Sequence, residues 1–592
     1  MRIRTHLAVA VVGLAVVLPA SRSVRADSPS AGAGSYTMDV PLEYYNLAFA
    51  LSKRTGGITP PVQGRIFAYM GLALYESVVD GMPHRRSIAS SLRGIGPLPR
   101  NHGTKFWPLV ASAAMAEVMR GLWGDATNVA AQNIADIDAL ERRLEDRFDL
   151  RGSLARRSVD FGRAVGAAVY QTSRDDGEDR SYLTNFQASY IPPVCDGCWV
   201  PTTPTQIAMQ PFWKNEMTPF VLTSGDCGED GPPDFSTDPS SQAYQEAREV
   251  YLVRNTLTPE QAVIARFWAD GPGTINGPGH SLSTTGQILQ LMHANLAEAA
   301  ETYARVGLAV GDGVYAVWWS KYNYNWLRPV TYINRYIDPA WTTLLPTPPF
   351  PEYTSAHSGQ TSAAIHTLIA LWGDVGYTDH THDADGFAPR TFASLSESMN
   401  ETAVSRMYAG IHYRSAISEG IDQGRCAARQ VAALPWRQRQ RGAEIPTSTR
   451  HRTRYHNEVV RGQQGSSETL LPRADRAGIE RQSVRDVIRL HDVHVMPQDT
   501  TAPRHTISVS DDRGYRSLRI ARYSATAAFC AGKSCSGSSV PANSAYSLTV
   551  FQALRSGLVH EAKRPREMSA AARPGLMPIA YRLRLSSAIS SR

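Results

Sequence analysis

Residues 60–81 read PPVQGRIFAYMGLALYESVVDG. Apolar side chains recur there three and four positions apart, the spacing that places them on one face of an α-helix. The pair of prolines suits a first helical turn, because proline has no N–H to leave unpaired and its φ angle is already helical. A helix with so large an apolar face needs other helices to cover it. The stretch therefore predicts a helical bundle.

The same helical period recurs along the first part of the chain. It is found in PLEYYNLAFALSKRT (41–55), KFWPLVASAAMAEVMRGLWG (105–124), NVAAQNIADIDALERRLEDRF (128–148) and SVDFGRAVGAAVYQTSRDDG (158–177). A connection rich in Pro, Gly and aromatic residues runs from about Ser181 to Asp238, and helices resume near Ser241 and in PEQAVIARFWAD (259–270). Because strand-like alternation is scarce, we predict an all-α fold of helical bundles with a long irregular loop for residues 38–435.

Length and composition exclude several classes of protein. The chain has 592 residues, of which 42% are hydrophobic and 19% are charged. This length exceeds one ordinary domain, and the apolar content excludes a wholly disordered protein. Six cysteines in the whole chain also exclude a disulfide-rich scaffold. The predicted helical part is large for one domain and fits two fused bundles.

The net charge of +7 hides regions of opposite sign. Residues 437–592 carry 24 Arg and 2 Lys against 12 acidic residues, whereas residues 27–436 carry 31 basic against 42 acidic residues. The tail has no repeat and no apolar period long enough to bury a core, although SVRDVIRL (483–490) and SAYSLTVFQALRSGL (544–558) could form short elements. We predict that residues 436–592 are a disordered or weakly ordered Arg-rich extension. A nucleic-acid-binding module and a frame error in the gene are the alternatives, and no nucleic-acid partner is expected.

The N-terminus has the features of a secretory signal peptide. Arg2 and Arg4 precede an apolar run over residues 7–20, and small residues flank Arg25 in the sequence Val-Arg-Ala that ends at residue 26. The apolar run is shorter than the roughly 20 residues that cross a bilayer as a helix. We predict a signal peptide over residues 1–26, a secreted or periplasmic protein and no membrane span in the mature chain. An uncleaved anchor is the alternative.

Three short motifs look like binding sites but have simpler explanations. Cys195 and Cys198 form a CxxC, which could be a redox pair, half of a zinc site or a local disulfide. With no βαβ context and no second CxxC, a disulfide or two ordinary thiols is favoured. The sequence DHTHDAD (379–385) resembles a metal cluster, but its place in a polar turn favours a solvated loop. GPGTINGPGH (271–280) lacks the flanking strand and helix of a phosphate-binding loop, so we predict a turn.

Three other motifs carry groups suited to chemistry. In the first, WWSKYNYNWLRP (318–329), Lys321 and Arg328 are seven residues apart, which predicts that both cations project from one helical face before Pro329 ends or redirects the helix. The alternative is a solvated charged stripe. The neighbouring aromatic residues indicate partial burial, and buried cations need an anionic partner.

The second motif is PPFPEYTSAHSGQTSAAIH (348–366). Its Pro-rich approach gives way to a helix of small residues at about Ser355, so the Ser355 hydroxyl, the following backbone N–H groups and the positive end of the helix dipole would surround one point. Such a point favours an oxyanion. His357, in the first turn, could serve as an acid or base. A serine that only caps a helix is the alternative.

The third motif is SRMYAGIHYR (405–414). Arg406 and His412 are six residues apart and would not share a face of one regular helix. The step from Ala409 to Gly410 can break the helix and bring His412 back towards Arg406. A buried structural histidine is the alternative interpretation of His412.

In this order, the three motifs resemble those of one family, the vanadium-dependent haloperoxidases and the related type 2 phosphatidic acid phosphatases. The family pattern is Lys-x6-Arg-Pro, then Pro-Ser-Gly-His, then Ser-Arg-x5-His. The matching residues here are Lys321, Arg328, Pro329, Ser355, His357, Ser405, Arg406 and His412. The resemblance extends through the helical region to about residue 430 and does not include the tail.

The resemblance implies a site for an oxyanion, which is the cofactor vanadate in a peroxidase and a substrate phosphate in a phosphatase. Both groups place three charged oxygens around an equator with two apical positions in line. The groups implied to hold the equatorial oxygens are Lys321, Arg328, Ser355, the backbone N–H of Ala356, and Arg406. His412 would be the axial vanadium ligand or the phosphorylated nucleophile, and His357 the acid or base.

The sequence departs from the family pattern at three positions. Thr354 replaces a proline, and Ala356 replaces the glycine. The backbone N–H survives the second change, but the added methyl group would crowd the oxyanion. Ala416 stands where many members carry an aspartate, so support for the histidine has to come from elsewhere.

Two aromatic residues favour halide oxidation over phosphate hydrolysis. Trp318 and Phe350 occupy positions that are aromatic in chloroperoxidase-like members, where an apolar wall would desolvate a halide. Ordinary core packing is the alternative explanation. The lead-in PFPEY and the segment FWADGPGT (267–274) also resemble exported bacterial haloperoxidases.

We therefore predict a haloperoxidase that uses vanadate, hydrogen peroxide and a halide. The alternatives are a soluble exported phosphatase that acts on a phosphate ester through a phosphohistidine, and an inactive relic that only binds an oxyanion. The sequence leaves the halide, the organic acceptor and the oligomeric state open.

Overall fold

A computed structural model describes residues 31–438, apart from 126–128, 187–189, 204–205, 210–216, 224, 229 and 272, together with the backbone of 504–511 and 514–521. The chain divides into two units, Met1–Ile445 and Pro446–Arg592. The predicted signal peptide and most of the predicted tail, including both segments expected to form short elements, lie outside the described residues.

The first unit is built almost entirely from helices, as the sequence predicts. The α-helices of the described residues are α1 (Asp39–Arg54), α2 (Pro60–Val78), α3 (Trp107–Trp123), α4 (Ala130–Phe148), α5 (Ser153–Arg174), α6 (Gln242–Asn255), α7 (Pro259–Phe267), α8 (Asn276–Leu291), α9 (Leu296–Tyr324), α10 (Pro329–Tyr336), α11 (Ala356–Trp372), α12 (Leu395–Tyr408) and α13 (Arg414–Ala432). The two strands among the described residues of this unit are short, β1 (Tyr377–Asp379) and β2 (Arg390–Phe392), and pair antiparallel. The prediction of an all-α fold is confirmed.

Local sequence explains where several helices begin. Prolines occupy the first turn of α2, α3, α7 and α10, where a missing N–H costs nothing. Thr258 and Gln261 form a reciprocal capping box at the start of α7, and Asn295 and Glu298 form another at the start of α9. These caps satisfy backbone donors that the first helical turn leaves unpaired.

Helix α9 joins the two halves of the unit. It packs against α2 on the N-terminal side and against α11 and α13 on the C-terminal side. Helices α11 and α13 approach very closely, because a Cβ atom at Gly420 would lie 2.7 Å from the carbonyl oxygen of Ser355. This close approach fixes the start of α11, which carries the second sequence motif.

The long connection between α5 and α6 contains neither an α-helix nor a β-strand among its described residues, as predicted. Two disulfides hold it. Cys195 pairs with Cys198, which confirms the favoured interpretation of the CxxC, and Cys227 pairs with Cys426 of α13. The carboxylate of Asp312 in α9 also accepts hydrogen bonds from three consecutive backbone N–H groups of the connection.

In the second unit the structure describes one antiparallel hairpin, β3 (Arg504–Asp511) with β4 (Gly514–Ala521). The predicted poor order of residues 436–592 stays a prediction. None of the described helices of the chain is long and apolar enough to span a membrane.

Candidate active site

The start of α11 forms the floor of the site. Ser355 is the N-cap residue, and its hydroxyl oxygen accepts from the backbone N–H of Ser358, which leaves the Ser355 O–H free to donate. The N–H groups of Ala356 and His357 have no intrahelical acceptor because they lie in the first turn. The positive end of the helix dipole adds to these donors. The prediction of a helix beginning at Ser355 is confirmed.

The segment after α12 brings His412 into the site. Helix α12 ends at Tyr408, and Gly410 adopts a φ angle of +78°, a conformation that favours glycine. The chain thereby turns out of the helix and brings His412 back towards Arg406, whose charge adds to burial and to the charges of Arg328 and Lys321 in lowering the pKa of His412. The predicted break at the step from Ala409 to Gly410 is confirmed.

The prediction that Lys321 and Arg328 share one helical face is wrong. Helix α9 ends at Tyr324, and Asn325 adopts a left-handed conformation with φ of +47°. Arg328 is extended, as expected for a residue before proline, and Pro329 begins α10 instead of ending α9. Lys321 and Arg328 are nevertheless both completely buried on the same side of the site, near Phe350.

Glu352 is the functional residue that the sequence analysis missed. Its Oε1 lies 2.8 Å from Nδ1 of His412 and 3.0 Å from the backbone nitrogen of Tyr413, and both nitrogens donate to it. Burial raises the pKa of Glu352 to about 8, although the charges of Arg328 and Lys321 act in the opposite direction. The only signal in the sequence was the glutamate of the PFPEY lead-in.

This pairing defines the state of His412. Burial, followed by the charges of Arg328 and Lys321, holds the pKa of His412 well below its usual range, so the imidazole is neutral. Its Nδ1 carries the proton and donates to Glu352, and its Nε2 therefore presents a lone pair, which Arg328 Nη1 approaches at 3.2 Å. An unprotonated Nε2 is what a vanadium ligand or a phosphoryl acceptor requires.

Three buried cations make the site electropositive. Lys321 and Arg328 are 0% exposed and Arg406 is 3% exposed. Burial lowers the pKa of Arg328 and that of Arg406 to about 10. Burial and the charge of Arg328 hold the pKa of Lys321 well below its usual range. A bound anion would stabilise all three charged forms.

Unpaired donors show that the residues present fit vanadate or phosphate. Arg328 bonds Phe350 O and Ile411 O, yet its buried Nη2 has no hydrogen-bond partner among the described residues. Arg406 donates from Nη1 to Trp268 O, and its buried Nε likewise lacks a partner in the described part of the chain. Buried unpaired donors are costly, and an oxyanion would satisfy them.

Lys321 differs from the other two cations. Its ammonium donates to the backbone carbonyls of Pro351, Glu352 and Thr354. All three of its protons are therefore used by the segment that leads into α11. Lys321 contributes charge to the site and holds this segment in place.

His357 lies beside the site, and its Nε2 is 3.4 Å from Oδ2 of Asp270. Burial, followed by the charge of Arg406, lowers the pKa of His357 to about 4 despite the opposing effect of Asp270. The imidazole is therefore neutral near pH 7 and able to accept a proton. Asp270 comes from the FWADGPGT segment, which the sequence analysis noted without assigning a role.

The two aromatic residues predicted for the halide side lie next to the cations. The ring centroids of Trp318 and Phe350 are 5.2 Å apart, and both side chains are buried. The Lys321 ammonium and the Arg328 guanidinium lie 5.2 and 5.1 Å from the Phe350 ring. These rings form one apolar wall of the site.

Two other predictions are wrong in part. The segment 379–385 is not a solvated loop throughout, because Asp379 and His382 are buried against α8, although His380 and Asp383 are exposed as expected. The segment 271–280 is not only a turn, since its second half, from Asn276, begins α8. Tertiary contacts that are distant in sequence explain both differences.

Comparisons with known proteins agree with this geometry. Residues 301–441 match the family model described as the VCPO second helical-bundle domain. The solved structure of the first bacterial vanadium-dependent iodoperoxidase shares 29% sequence identity with a TM-score of 0.62, covering 68% of this chain and 99% of that one. The solved structure of the apo-type bacterial vanadium-dependent chloroperoxidase shares 16% sequence identity with a TM-score of 0.50, covering 65% of this chain and 96% of that one. This similarity shows a likeness of fold alone. A comparison with curated protein sequences gave no match. The family model and these structural neighbours therefore make the helical part of the chain similar to the vanadium haloperoxidases, and the helical-bundle fold is the same as theirs.

Proposed function

We propose that this protein is a vanadate-dependent haloperoxidase that oxidises a halide with hydrogen peroxide. The observation that carries the proposal is the set of buried donors without partners, Arg328 Nη2 and Arg406 Nε, together with the unprotonated Nε2 of His412. Bound vanadate would be held through its oxygens by these donors, and Nε2 of His412 would be the group that binds the vanadium. The N–H of Ala356 and the O–H of Ser355 would hold the remaining oxygen charge.

Bound vanadate would supply Lewis-acid polarisation of hydrogen peroxide without changing its own oxidation state. In the overall reaction a halide, hydrogen peroxide and one proton give hypohalous acid and water. The halide loses two electrons and the O–O bond accepts them. His357 is neutral near pH 7, so it would take the proton of the entering peroxide, and Asp270 at 3.4 Å would stabilise the imidazolium that forms.

Iodide is the halide that we propose first. The neighbour with 29% identity is an iodoperoxidase, and iodide is the easiest of the common halides to oxidise. The apolar wall of Trp318 and Phe350 would remove water from a large, weakly hydrated anion.

A phosphatase is the second candidate, and the contact between Glu352 and His412 serves it as well as it serves the peroxidase. The Glu352 carboxyl group accepts from Nδ1 of His412 and so increases the basicity of Nε2, as a general base does for a nucleophile. A phosphate ester bound by the same donors would place its phosphorus next to Nε2. Nε2 would bond to the phosphorus as the P–O bond to the alcohol breaks and the alcohol leaves, and water would then cleave the P–N bond to release phosphate.

One experiment separates these functions. The full chain is desalted and divided, and one half receives vanadate, hydrogen peroxide and iodide or bromide, with a dye that reports halogenation. The other half receives p-nitrophenyl phosphate without vanadate. Halogenation that requires vanadate supports the peroxidase, whereas phosphate release that vanadate inhibits supports the phosphatase. No activity in either half would contradict both and leave an oxyanion-binding relic.

A further inference from the structure

A second buried cluster of titratable groups lies behind His357. Oδ1 of Asp270 is 2.9 Å from Nδ1 of His280 and 2.9 Å from Nε2 of His382. The three residues come from the loop after α7, from α8 and from the segment between β1 and β2. All of them are at least nine-tenths buried. Their three ligand-type atoms all lie within 4.8 Å of one another.

The far side of each imidazole is held by a carboxylate. Nε2 of His280 lies 2.7 Å from Asp379 Oδ2, and Nδ1 of His382 lies 2.9 Å from Asp385 Oδ2. This arrangement is typical of metal-binding histidines, whose second nitrogen donates to a carboxylate that fixes the tautomer and raises the basicity of the ligating nitrogen. Here it occurs twice around a single carboxylate.

The charges of the cluster are compatible with a bound cation. With both imidazoles neutral, the carboxylates of Asp270, Asp379 and Asp385 carry three negative charges. Lys53 lies 2.7 Å from Asp385, and the buried Arg406 interacts with Asp270. Further positive charge is needed to balance the rest, because buried unpaired charge is strongly unfavourable. Protons on the imidazoles would supply it, and so would a divalent ion with neutral imidazoles.

The spacing of the ligand atoms is close to what such an ion needs. Two ligands at about 2.1 Å from a tetrahedral zinc ion are about 3.4 Å apart. The two separations of 2.9 Å around Asp270 Oδ1 are hydrogen-bond distances, so the ligand atoms would move apart by roughly half an ångström when an ion replaces the shared protons. Two imidazoles and one carboxylate are a ligand set for borderline divalent transition ions, with the remaining positions left to water.

We propose that Asp270, His280 and His382 bind a divalent transition-metal ion of the zinc class. The site adjoins the oxyanion site, with which it shares Asp270, but the proposal does not depend on the proposed peroxidase function. Its ion would tie the segment around His382 to α8 and would hold Asp270, whose other oxygen faces His357.

The test uses the full chain and Zn²⁺. The protein is treated with a chelator, incubated with excess Zn²⁺ and passed through gel filtration, and the zinc retained per chain is measured by mass spectrometry. The wild type is expected to retain one equivalent more than the double variant His280→Gln, His382→Gln. The matched control is His380→Gln, which removes an exposed histidine from the same segment and is expected to behave as the wild type.

Equal zinc retention by the wild type and the double variant would overturn the proposal, because the zinc would then be bound elsewhere or not at all. The variant Asp385→Asn guards against misfolding of the double variant, since it leaves all three ligands in place. It is expected to bind Zn²⁺ about 10- to 100-fold more weakly in competition with a chromophoric chelator. An unchanged affinity in a variant whose circular dichroism is normal would also count against the site.

Discussion

The Oε1 atom of Glu352 lies 2.8 Å from Nδ1 of His412, so a buried carboxyl group sets which imidazole nitrogen faces the oxyanion site. The two residues are 60 positions apart, and neither lies within an α-helix. Their contact supplies the support for His412 that the alanine at position 416 does not. Ala416 contributes instead through its backbone carbonyl, which accepts from the N–H of Ser355 at 2.9 Å.

Glu352→Gln should reduce halide oxidation without unfolding the protein. Glutamine keeps the shape and one acceptor for His412 Nδ1, but it cannot take on the negative charge beside Arg328 and Lys321 that the carboxyl group gains as pH rises through its pKa of about 8. We expect both kcat and vanadate affinity to fall by roughly 10- to 100-fold, as for other partners of metal-binding histidines. Steady-state kinetics over a range of vanadate concentrations would measure both.

A suitable control for Glu352→Gln is Glu301→Gln, which changes another buried glutamate that pairs with Arg85 and Arg305. It should lower the melting temperature but leave the vanadate dependence unchanged. If Glu352→Gln affected only the melting temperature, the contact with His412 would be structural.

His412→Ala should abolish turnover at the site. Removing Nε2 eliminates both the axial vanadium ligand and the phosphoryl acceptor, and we expect a loss of roughly 10³-fold or more in vanadate-dependent iodide oxidation or phosphate release. His366→Ala, which removes a partly buried histidine that bonds Ser362 in α11, is the matched control. Retained activity in His412→Ala would refute both proposed enzyme functions.

The sequence predicted the elements whose causes are local. Helical period identified most of the helices, and the small-residue start at Ser355 and the glycine at position 410 identified two turns of the chain that build the site. The prediction that Lys321 and Arg328 share one helical face was wrong because Asn325 adopts a left-handed conformation that ends α9. The spacing of apolar residues in the sequence does not indicate that conformation.

Long-range burial could not be predicted from any single segment. His382 and Asp270 are 112 residues apart in the sequence. The segment around His382 reads as a polar turn, and only its contact with Asp270 in the folded chain makes it part of a buried cluster. Glu352 was missed for the same reason, because nothing near it in the sequence indicates that it faces His412. Site residues that belong to a family motif could therefore be predicted from the sequence, whereas the residues that support them could not.

Asp312→Asn should change how stability depends on pH. Burial raises the pKa of Asp312 to about 6 from 3.8, in spite of its three backbone hydrogen bonds. Between these two values the folded state holds a proton that the unfolded state has released, so this group lowers the free energy of unfolding as pH rises from about 3.8 to about 6. The asparagine variant should lack that decrease.

The same variant should be less stable overall, by about 1–3 kcal/mol, because an amide has one acceptor oxygen for the three N–H groups. Urea unfolding of the wild type and the variant across the acid range would measure both effects. Asp160→Asn, on the exposed side of α5, should keep the wild-type pH dependence. Parallel curves for the wild type and Asp312→Asn would show that Asp312 does not titrate in this range.

Ala356→Gly should tighten oxyanion binding. Ala356 is the first residue of α11, and its methyl group adjoins the N–H that would face the oxyanion. Relief of about 1 kcal/mol of crowding corresponds to roughly fivefold tighter binding of vanadate. The variant should also lose about 0.5–1 kcal/mol of stability, because glycine is less favourable in a helix than alanine. Calorimetric titration with vanadate and thermal unfolding would measure the two effects separately.

Ala363→Gly, at a buried position further along α11, should lower stability without changing the affinity. If the vanadate affinity of Ala356→Gly stayed the same or weakened, the methyl group would not be what limits binding. The next explanation to test would be Lys321, because its ammonium already donates to three backbone carbonyls and has no proton left to donate to the oxyanion.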